Sequence, residues 1–327
     1  VRDDIGAEWV AYALRSPGAQ RHIRTRATTT VQATLNLQDV RELPIPLPDR
    51  PQRDRATTVL RALDSKIDLN RRINCTLETI ARTIFKSWLV DFDPVRTKMQ
   101  GGEVGLPPNL AALFPDSLEE SDLGPIPTGW SAGSLMDVAE LNPETWSRDT
   151  RPAVISYLEL SGAKWGCIES RTSYALDEAP SRAQRVLRSG DTVVGTVRPG
   201  NGSYALIAEE GLTGSTGFAV LRPRRPAYRE IAHLAATSRA SIASLAALAD
   251  GGVYPAVRPD VVASTPLVVP SEDVSEAFAE LVAPMLARAA IGERESRRLA
   301  HLRDELLPRL LSGESVVRDT AVASLSV

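Results

Sequence analysis

Apolar residues recur at alternating steps of three and four along residues 55–92, where Leu60, Leu63, Ile67, Leu77, Ile84 and Trp88 share one seam and Ala81 continues it. Asn70 and Asn74 interrupt this seam near its middle. A 3.5-residue spacing kept over about four heptads predicts a helix that packs lengthwise against another helix. Polar residues in such a seam cost stability but fix register and partner. At about 1.5 Å rise per residue the stretch would span roughly 57 Å. A second rod is predicted over 275–312, with Phe278, Leu281, Met285, Leu299, Leu302 and Leu306 as its seam and a polar centre from Arg288 to Arg298.

The two rods match in type when set 222 positions apart: Leu63 with Met285, Leu77 with Leu299, Ile80 with Leu302, Ile84 with Leu306. Similar runs precede them, LNLQDVRELPIPLPDRP (35–51) and VYPAVRPDVVASTPLVVPSED (253–273). Pro44, Pro46, Pro48 and Pro51 fit neither a helix interior nor a central strand, so they mark an extended edge or linker. The chain thus reads as a long-period duplication, each half ending in a long helix. Two unrelated amphipathic helices are the alternative.

Between the rods the pattern changes twice. Residues 98–127 are dense in Gly and Pro and read as a connector, partly ordered by Leu110, Leu113 and Phe114. Strand-like runs follow at 153–160, 191–199, 203–209, 217–223 and 265–270, bounded by Gly, Pro, Asn and Asp. GLTGSTG (211–217) reads as a turn, and AYREIAHLAATSRASIASLAALAD (227–250) as one helix. The expected fold class is α+β: a mixed, mostly β domain with helical decoration, plus two long antiparallel coiled-coil helices. Loops on a rigid sheet scaffold are where binding specificity tends to reside.

With 327 residues, 43% of them apolar and 24% charged, the chain has enough material for two or three globular domains. It has no apolar run long enough to cross a membrane. The start VRDDIGAEWV does not read as a signal peptide. Cys75 and Cys167 cannot build a disulfide framework and fit a reducing compartment, so a cytoplasmic location is expected. His22, His233 and His301 lack metal-ligand spacing. A net charge of −3 argues against binding nucleic acid by bulk positive charge, but leaves room for a few positioned contacts. Only four lysines occur (Lys66, Lys86, Lys98, Lys164), so the positive charge is nearly all arginine, which suits bidentate contact to guanine and phosphate. Clustered carboxylates beside a lysine, a G-x-G-x-x-G turn, a phosphate-cradling G-x-x-x-x-G-K-[ST] and G-x-S-x-G are all missing. LNPETW (141–146) lacks the second proline and the following aromatic of a methyltransferase loop. This points to a binding or organising subunit with no catalytic or metal site of its own.

The stretch LPIPLPDRPQRDRATTVLRALDSKIDLNRRINCTLETIARTIFKSWLVDFDPV resembles the central conserved region of type I restriction–modification specificity subunits, and HLRDELLPRLLSGE (301–314) resembles their distal conserved region. RVLRSGDTVVGTVRPGNGSYALI, GSTGFAVLRP and GGVYPAVRPDVVASTPLVVP resemble their target recognition domain. The resemblance implies the following partition: 1–50 the tail of a first recognition domain, 51–97 the central spacer helix, 98–127 a linker, 128–272 a second recognition domain, 273–313 the distal spacer helix and 314–327 a flexible tail. It implies double-stranded DNA, methyltransferase subunits and restriction subunits as partners. S-adenosylmethionine, ATP and Mg2+ would serve those partners, with no cofactor on this chain. About 50 residues precede the first rod, so a truncated or half subunit acting as a homodimer, or as a scaffold, is the alternative.

The expected DNA-binding residues lie in loops of 153–260: Lys164, Trp165, Arg198, Asn201, Tyr204, Ser215, Thr216, Tyr254 and Arg258. Arg and Asn can read guanine and adenine bidentately. Trp165 and Tyr204 could equally be core aromatics, and Ser215 and Thr216 could simply close a turn. Arg182, Arg185 and Arg188 form either a solvated face or phosphate contacts. Phe85, Trp88, Leu89 and Phe92 leave the first rod strongly apolar at its end; they either contact a methyltransferase subunit or dock against the adjoining domain.

Overall fold

The computed structural model describes residues 5–29, 33–147, 149–249 and 255–313. Its helices, in order, are Ala7–Arg15 (α1), Pro17–Arg26 (α2), Leu37–Arg41 (α3), Arg50–Leu89 (α4), Asp93–Met99 (α5), Pro108–Ala111 (α6), Leu135–Val138 (α7), Arg229–Ala236 (α8), Arg239–Ala249 (α9), Pro259–Ala263 (α10) and Glu272–Ser312 (α11). Both rods therefore exist, as helices of 40 and 41 residues. The chain divides into two compact units, Val1–Cys75 with Ile291–Val327, and Thr76–Ala290. Each long helix contributes to both.

Local chemistry sets the ends of α4. Asp49 Oδ1 accepts the Gln52 N–H at 2.9 Å, and Pro51 sits in the first turn, where a missing N–H is harmless. The helix stops short of the predicted Phe92. That residue adopts a left-handed conformation (φ 58°), and Pro94 then opens α5. In the first unit, α4 and α11 run antiparallel: Asp64 meets Arg303 at 2.7 Å and Asn70 meets Glu295 at 2.9 Å. Asn70 is fully buried, and its amide donates to Glu295 Oε2. Leu60 packs with Leu307, Leu310 and Leu311, and α1 adds Trp9 and Tyr12 to the same core.

On α4 the predicted seam is buried at Leu60, Ile67, Ala81 and Trp88 and half-buried at Leu63, Leu77 and Ile84. On α11 the prediction needs correction. The buried line is Val274, Phe278, Val282, Leu286 and Ala289, and later Leu307, Leu310 and Leu311. Leu281, Met285, Leu299 and Leu306 flank it, and Leu302 is 43% exposed. An apolar stripe wider than two heptad positions leaves the centre of the face undetermined by spacing.

The duplication appears element by element. Leu37–Arg41 and Pro259–Ala263 stand 222 positions apart at both ends, and Arg50 and Glu272, which open the long helices, do the same. α1 and α2 reappear as α8 and α9. Ser16 Oγ accepts the Ala19 N–H, and 222 positions on Ser238 Oγ accepts the Ser241 N–H. Buried residues correspond too: Trp9 with Ile231, Leu60 with Val282, Trp88 with Leu310, Leu89 with Leu311. The Ser238 cap also explains why the run 227–250 forms two helices, bent by 57°, instead of the single helix predicted.

The second unit adds sheets to this helical tail. One sheet has the order Thr172–Ala175, Val154–Leu158, Leu212–Ser215, Ala183–Leu187; the other has Tyr204–Leu206, Thr192–Gly195, Phe218–Pro223, Ala139–Leu141. All pairings are antiparallel except Leu212–Ser215 with Val154–Leu158. The GLTGSTG run is therefore a central strand where a turn was expected. Gly214 packs so closely on Leu187 that an added Cβ would lie 3.2 Å from its methyls. Its glycine serves sheet packing there, a use that the sequence pattern does not separate from a turn. Pro266–Val269 pairs with Ser131–Ser134, while the equivalent positions 44–47 form no strand among the described residues.

At one place the two units solve the same packing problem differently. In the first, Tyr12 donates to Asp64 at 2.9 Å and Arg303 clamps the same carboxylate at 2.7 Å. The corresponding residues of the second unit, 222 positions away, are Leu234, Leu286 and Ala81, all buried in its core. Burial raises the Asp64 pKa, but the hydrogen bonds from Arg303 and Tyr12 outweigh it and hold the carboxylate below its ordinary value. Burial, then the Asp64 hydrogen bond, pushes Tyr12 up to about 12. The Asp64 contribution to stability is thus complete above about pH 4 and is lost as pH falls through the lowered folded value. The Tyr12 contribution is complete below about pH 10 and is lost as pH rises toward the folded value. Melting curves across pH should show both limbs. Installing the second unit's solution, Y12L/D64L/R303A, should remove both and leave neutral-pH stability equal or higher, because a polar cluster replaced as a whole by packed apolar groups is often neutral or stabilising.

Candidate nucleic-acid interface

Three segments of the second unit, far apart in sequence, are stitched together by backbone hydrogen bonds. The first is a hairpin in which Ala163–Lys164 pairs with Cys167–Ile168 through a two-residue turn, Trp165–Gly166. The second is the turn Val197–Ser203, whose centre Pro199–Asn201 is a single 3-10 turn. The third is 255–258, leading into α10. Trp165 N–H donates to the Gly202 carbonyl at 2.7 Å, and Gly166 N–H to the Tyr204 carbonyl at 3.0 Å. Arg198 N–H donates to the Pro255 carbonyl at 2.8 Å, and Val257 N–H to the Thr196 carbonyl at 2.9 Å. The 3-10 turn rests on α9, where Gly200 approaches Ala246.

This lattice displays Lys164, Trp165, Arg198 and Asn201 together, all exposed. Lys164, Arg198 and Asn201 make no side-chain hydrogen bond or ion pair among the described residues. Tyr204 lies beneath, 6% exposed, with the Trp165 ring edge-on at 6.0 Å. Burial raises the Tyr204 pKa, so its phenol stays protonated and neutral. Two unpaired cations, a carboxamide and an indole on a fixed backbone can contact phosphates, base edges and base faces.

No family model matches the chain. It is 24% identical over 336 residues to the HindI specificity subunit of a type I restriction enzyme from Haemophilus influenzae, covering 89% of this chain and 72% of the relative. It is 20% identical over 328 residues to the MjaIX specificity subunit of a type I restriction enzyme from Methanocaldococcus jannaschii, covering 97% of this chain and 71% of the relative. A solved type I restriction–modification S subunit from M. genitalium shares the fold, with a TM-score of 0.51 at 14% identity over 95% of this chain and 74% of that one. The chain is thus similar, over most of its length, to type I restriction specificity subunits.

Other residues expected at the interface lie elsewhere or differ in exposure. Ser215 is buried at the end of a central strand, where its hydroxyl accepts the Gly217 N–H. Thr216 is half-buried, its N–H bonded to the Arg182 carbonyl. Arg258 is exposed at the start of α10 and pairs with Asp260 at 2.7 Å. Tyr254 lies outside the described residues. Of the three arginines read as a face, Arg188 pairs with Glu144 at 3.0 Å, Arg185 is half-buried beside Thr145, and Arg182 is exposed with no side-chain partner among the described residues.

Phe85, Trp88, Leu89 and Phe92 are all buried in the core of their own unit. Trp88 meets Phe114 at 5.0 Å and Phe278 at 6.1 Å, and Phe92 meets Trp130 at 5.8 Å. Phe85, Leu89 and Phe92 also border an apolar groove of about 370 Å³ with Ala235, Pro266 and Leu267. Sequence reading missed Arg82. It reaches from α4 to the Thr237 carbonyl at 3.1 Å and so satisfies the C-terminal end of α8. Nothing separates it in sequence from other arginines on a helix surface.

A second omission lies at the start of the strand Thr192–Gly195, the end away from the turn 197–203. Asp191, fully buried, accepts Arg222 Nε and Nη2, each at 2.9 Å, and the Arg188 N–H at 2.8 Å. Arg222 also holds Glu144 at 2.7 Å. Arg222→Met would leave the Asp191 charge buried and unpaired, at a cost of about 3–5 kcal/mol. Lys164→Ala or Arg198→Ala should change stability by less than about 0.5 kcal/mol, since neither side chain has an internal partner. The urea unfolding midpoint should fall for Arg222→Met and stay near wild type for the other two.

Proposed function

We propose that this chain reads DNA sequence for a type I restriction–modification assembly and catalyses no step itself. The observation that carries the reading is the convergence of Lys164, Trp165, Arg198 and Asn201 on one hydrogen-bonded loop lattice, in a chain that also has two long spacer helices. Asn201 supplies bidentate readout of adenine, and Lys164 and Arg198 neutralise phosphates. Residues 128–272 form the reading domain, and the two long helices are the spacers. The partners are double-stranded DNA, methyltransferase subunits that use S-adenosylmethionine, and restriction subunits that use ATP and Mg2+. The groove beside Phe85, Leu89 and Phe92 is the surface offered to a methyltransferase subunit.

The main test is site-specific methylation. With the chain present, the partner methyltransferase should modify one enriched sequence from a randomised duplex pool; with the chain omitted, that preference should vanish. Equal modification patterns with and without it would refute the proposal. Inserting one heptad into each long helix should alter the number of unspecified base pairs tolerated within the site while base preference stays the same. A shift in base preference would argue against a spacer role.

A further inference from the structure

We infer that Trp165 is a specificity-determining residue, its indole held clear of the fold to stack on the bases of a distorted step, with Lys164 and Arg198 gripping phosphates beside it. This deepens the DNA-reading proposal and rests on it.

The turn itself supplies the first argument. Trp165 and Gly166 both have positive φ, 50° and 92°, the pattern of a tight hairpin turn that ordinarily takes Asn or Gly at these places. A bulky aromatic in the left-handed region is an outlier that costs conformational energy, and such outliers cluster at binding sites. Gly166 supplies the usual glycine; Trp165 stands where Asn would be easiest.

The surroundings supply the second. Core packing does not explain the tryptophan, because its side chain is 52% exposed while Tyr204 fills the buried position below. The fold nevertheless fixes it. Gly202, itself at φ 71°, lies flat under the indole, and a Cβ there would come within 2.5 Å of the ring. The Trp165 N–H is tied to the Gly202 carbonyl, and Tyr204 meets the ring edge-on at 85°. One face of the indole is thus supported by bare backbone, one edge is braced, and the rest is open. A preorganised ring loses little entropy when a base stacks on it, and base steps that unstack cheaply admit it best.

The third argument is charge. Lys164 precedes the indole, and Arg198 and Gly202 flank the same 3-10 turn. Both cations are exposed, and neither has a side-chain partner among the described residues. Cations flanking an aromatic suit a strand whose backbone is gripped while a base step is opened.

The experiment uses the complex with its methyltransferase subunit, a randomised duplex pool and the sequence that the wild-type complex enriches from it. Trp165→Asn, which the turn geometry favours, should keep or raise the Tm, while specific binding falls roughly tenfold or more and non-specific binding and its salt dependence stay unchanged. Gly202→Ala, which displaces the indole, should reproduce that loss. Lys164→Ala and Arg198→Ala should instead weaken binding to all duplexes and lower the salt slope by about 1 each. Undiminished discrimination by the Trp165→Asn complex would overturn the inference and leave the DNA-reading proposal standing. A lower Tm with unchanged discrimination would assign Trp165 to packing. A wild-type complex that enriches no sequence would remove both proposals.

Discussion

The packing of α4 against α11 is the constraint on which everything else rests. Each helix ends in a cluster of large apolar side chains, Phe85, Trp88 and Leu89 on one, Leu307, Leu310 and Leu311 on the other. Each cluster belongs to the core of the unit that contains it. Sliding the seam by one residue would turn these clusters out of their cores, because helical positions one apart face directions about 100° apart. Register is therefore fixed by the two cores as well as by the seam. That explains how the seam tolerates a polar centre. The buried amide of Asn70 and the carboxylate of Glu295 cost stability relative to Leu, yet they accept only one alignment.

The repeat shows which features a domain of this kind needs and which it can exchange. Helix boundaries, the Ser16 and Ser238 caps and the buried apolar positions reappear at a constant offset. The Tyr12–Asp64–Arg303 cluster does not; its counterpart is Leu234–Leu286–Ala81. One interior position has thus been filled by a paired charge in one unit and by hydrocarbon in the other.

Much of the fold was legible in the sequence because long amphipathic helices carry their signal over many turns. Both rods, the offset between them and the β-rich middle could be read. What failed was short-range. The α11 stripe is wider than a heptad seam, so Leu302 was placed inward when it faces out. Strands such as Thr172–Ala175 carry too few apolar residues to announce themselves, and in Ala183–Leu187 the consecutive polar pair Gln184–Arg185 masks the alternation. Gly214 was read as turn chemistry because glycine serves both backbone freedom and close approach, and only the neighbour, Leu187, decides between them. The interface was legible in part. Lys164, Trp165, Arg198 and Asn201 converge, but Ser215 is drawn into a sheet whose pairing is non-local.

The candidate interface combines a backbone that cannot vary with side chains that can. Its three segments are held by main-chain hydrogen bonds, which any residue except proline can donate. Glycines mark where the lattice is tightest: at Gly202 an added Cβ would meet the indole, and at Gly195 it would lie 2.8 Å from the Ser203 Cβ. Lys164, Arg198 and Asn201 contribute no side-chain contact to this lattice. They can be exchanged for other contact residues without disturbing the fold that presents them. A scaffold built this way separates stability from the identity of the exposed side chains, which under the DNA-reading proposal is the physical condition for changing target sequence by a few substitutions. Trp165 stands between the two classes, since its ring is both braced by the lattice and open to a ligand.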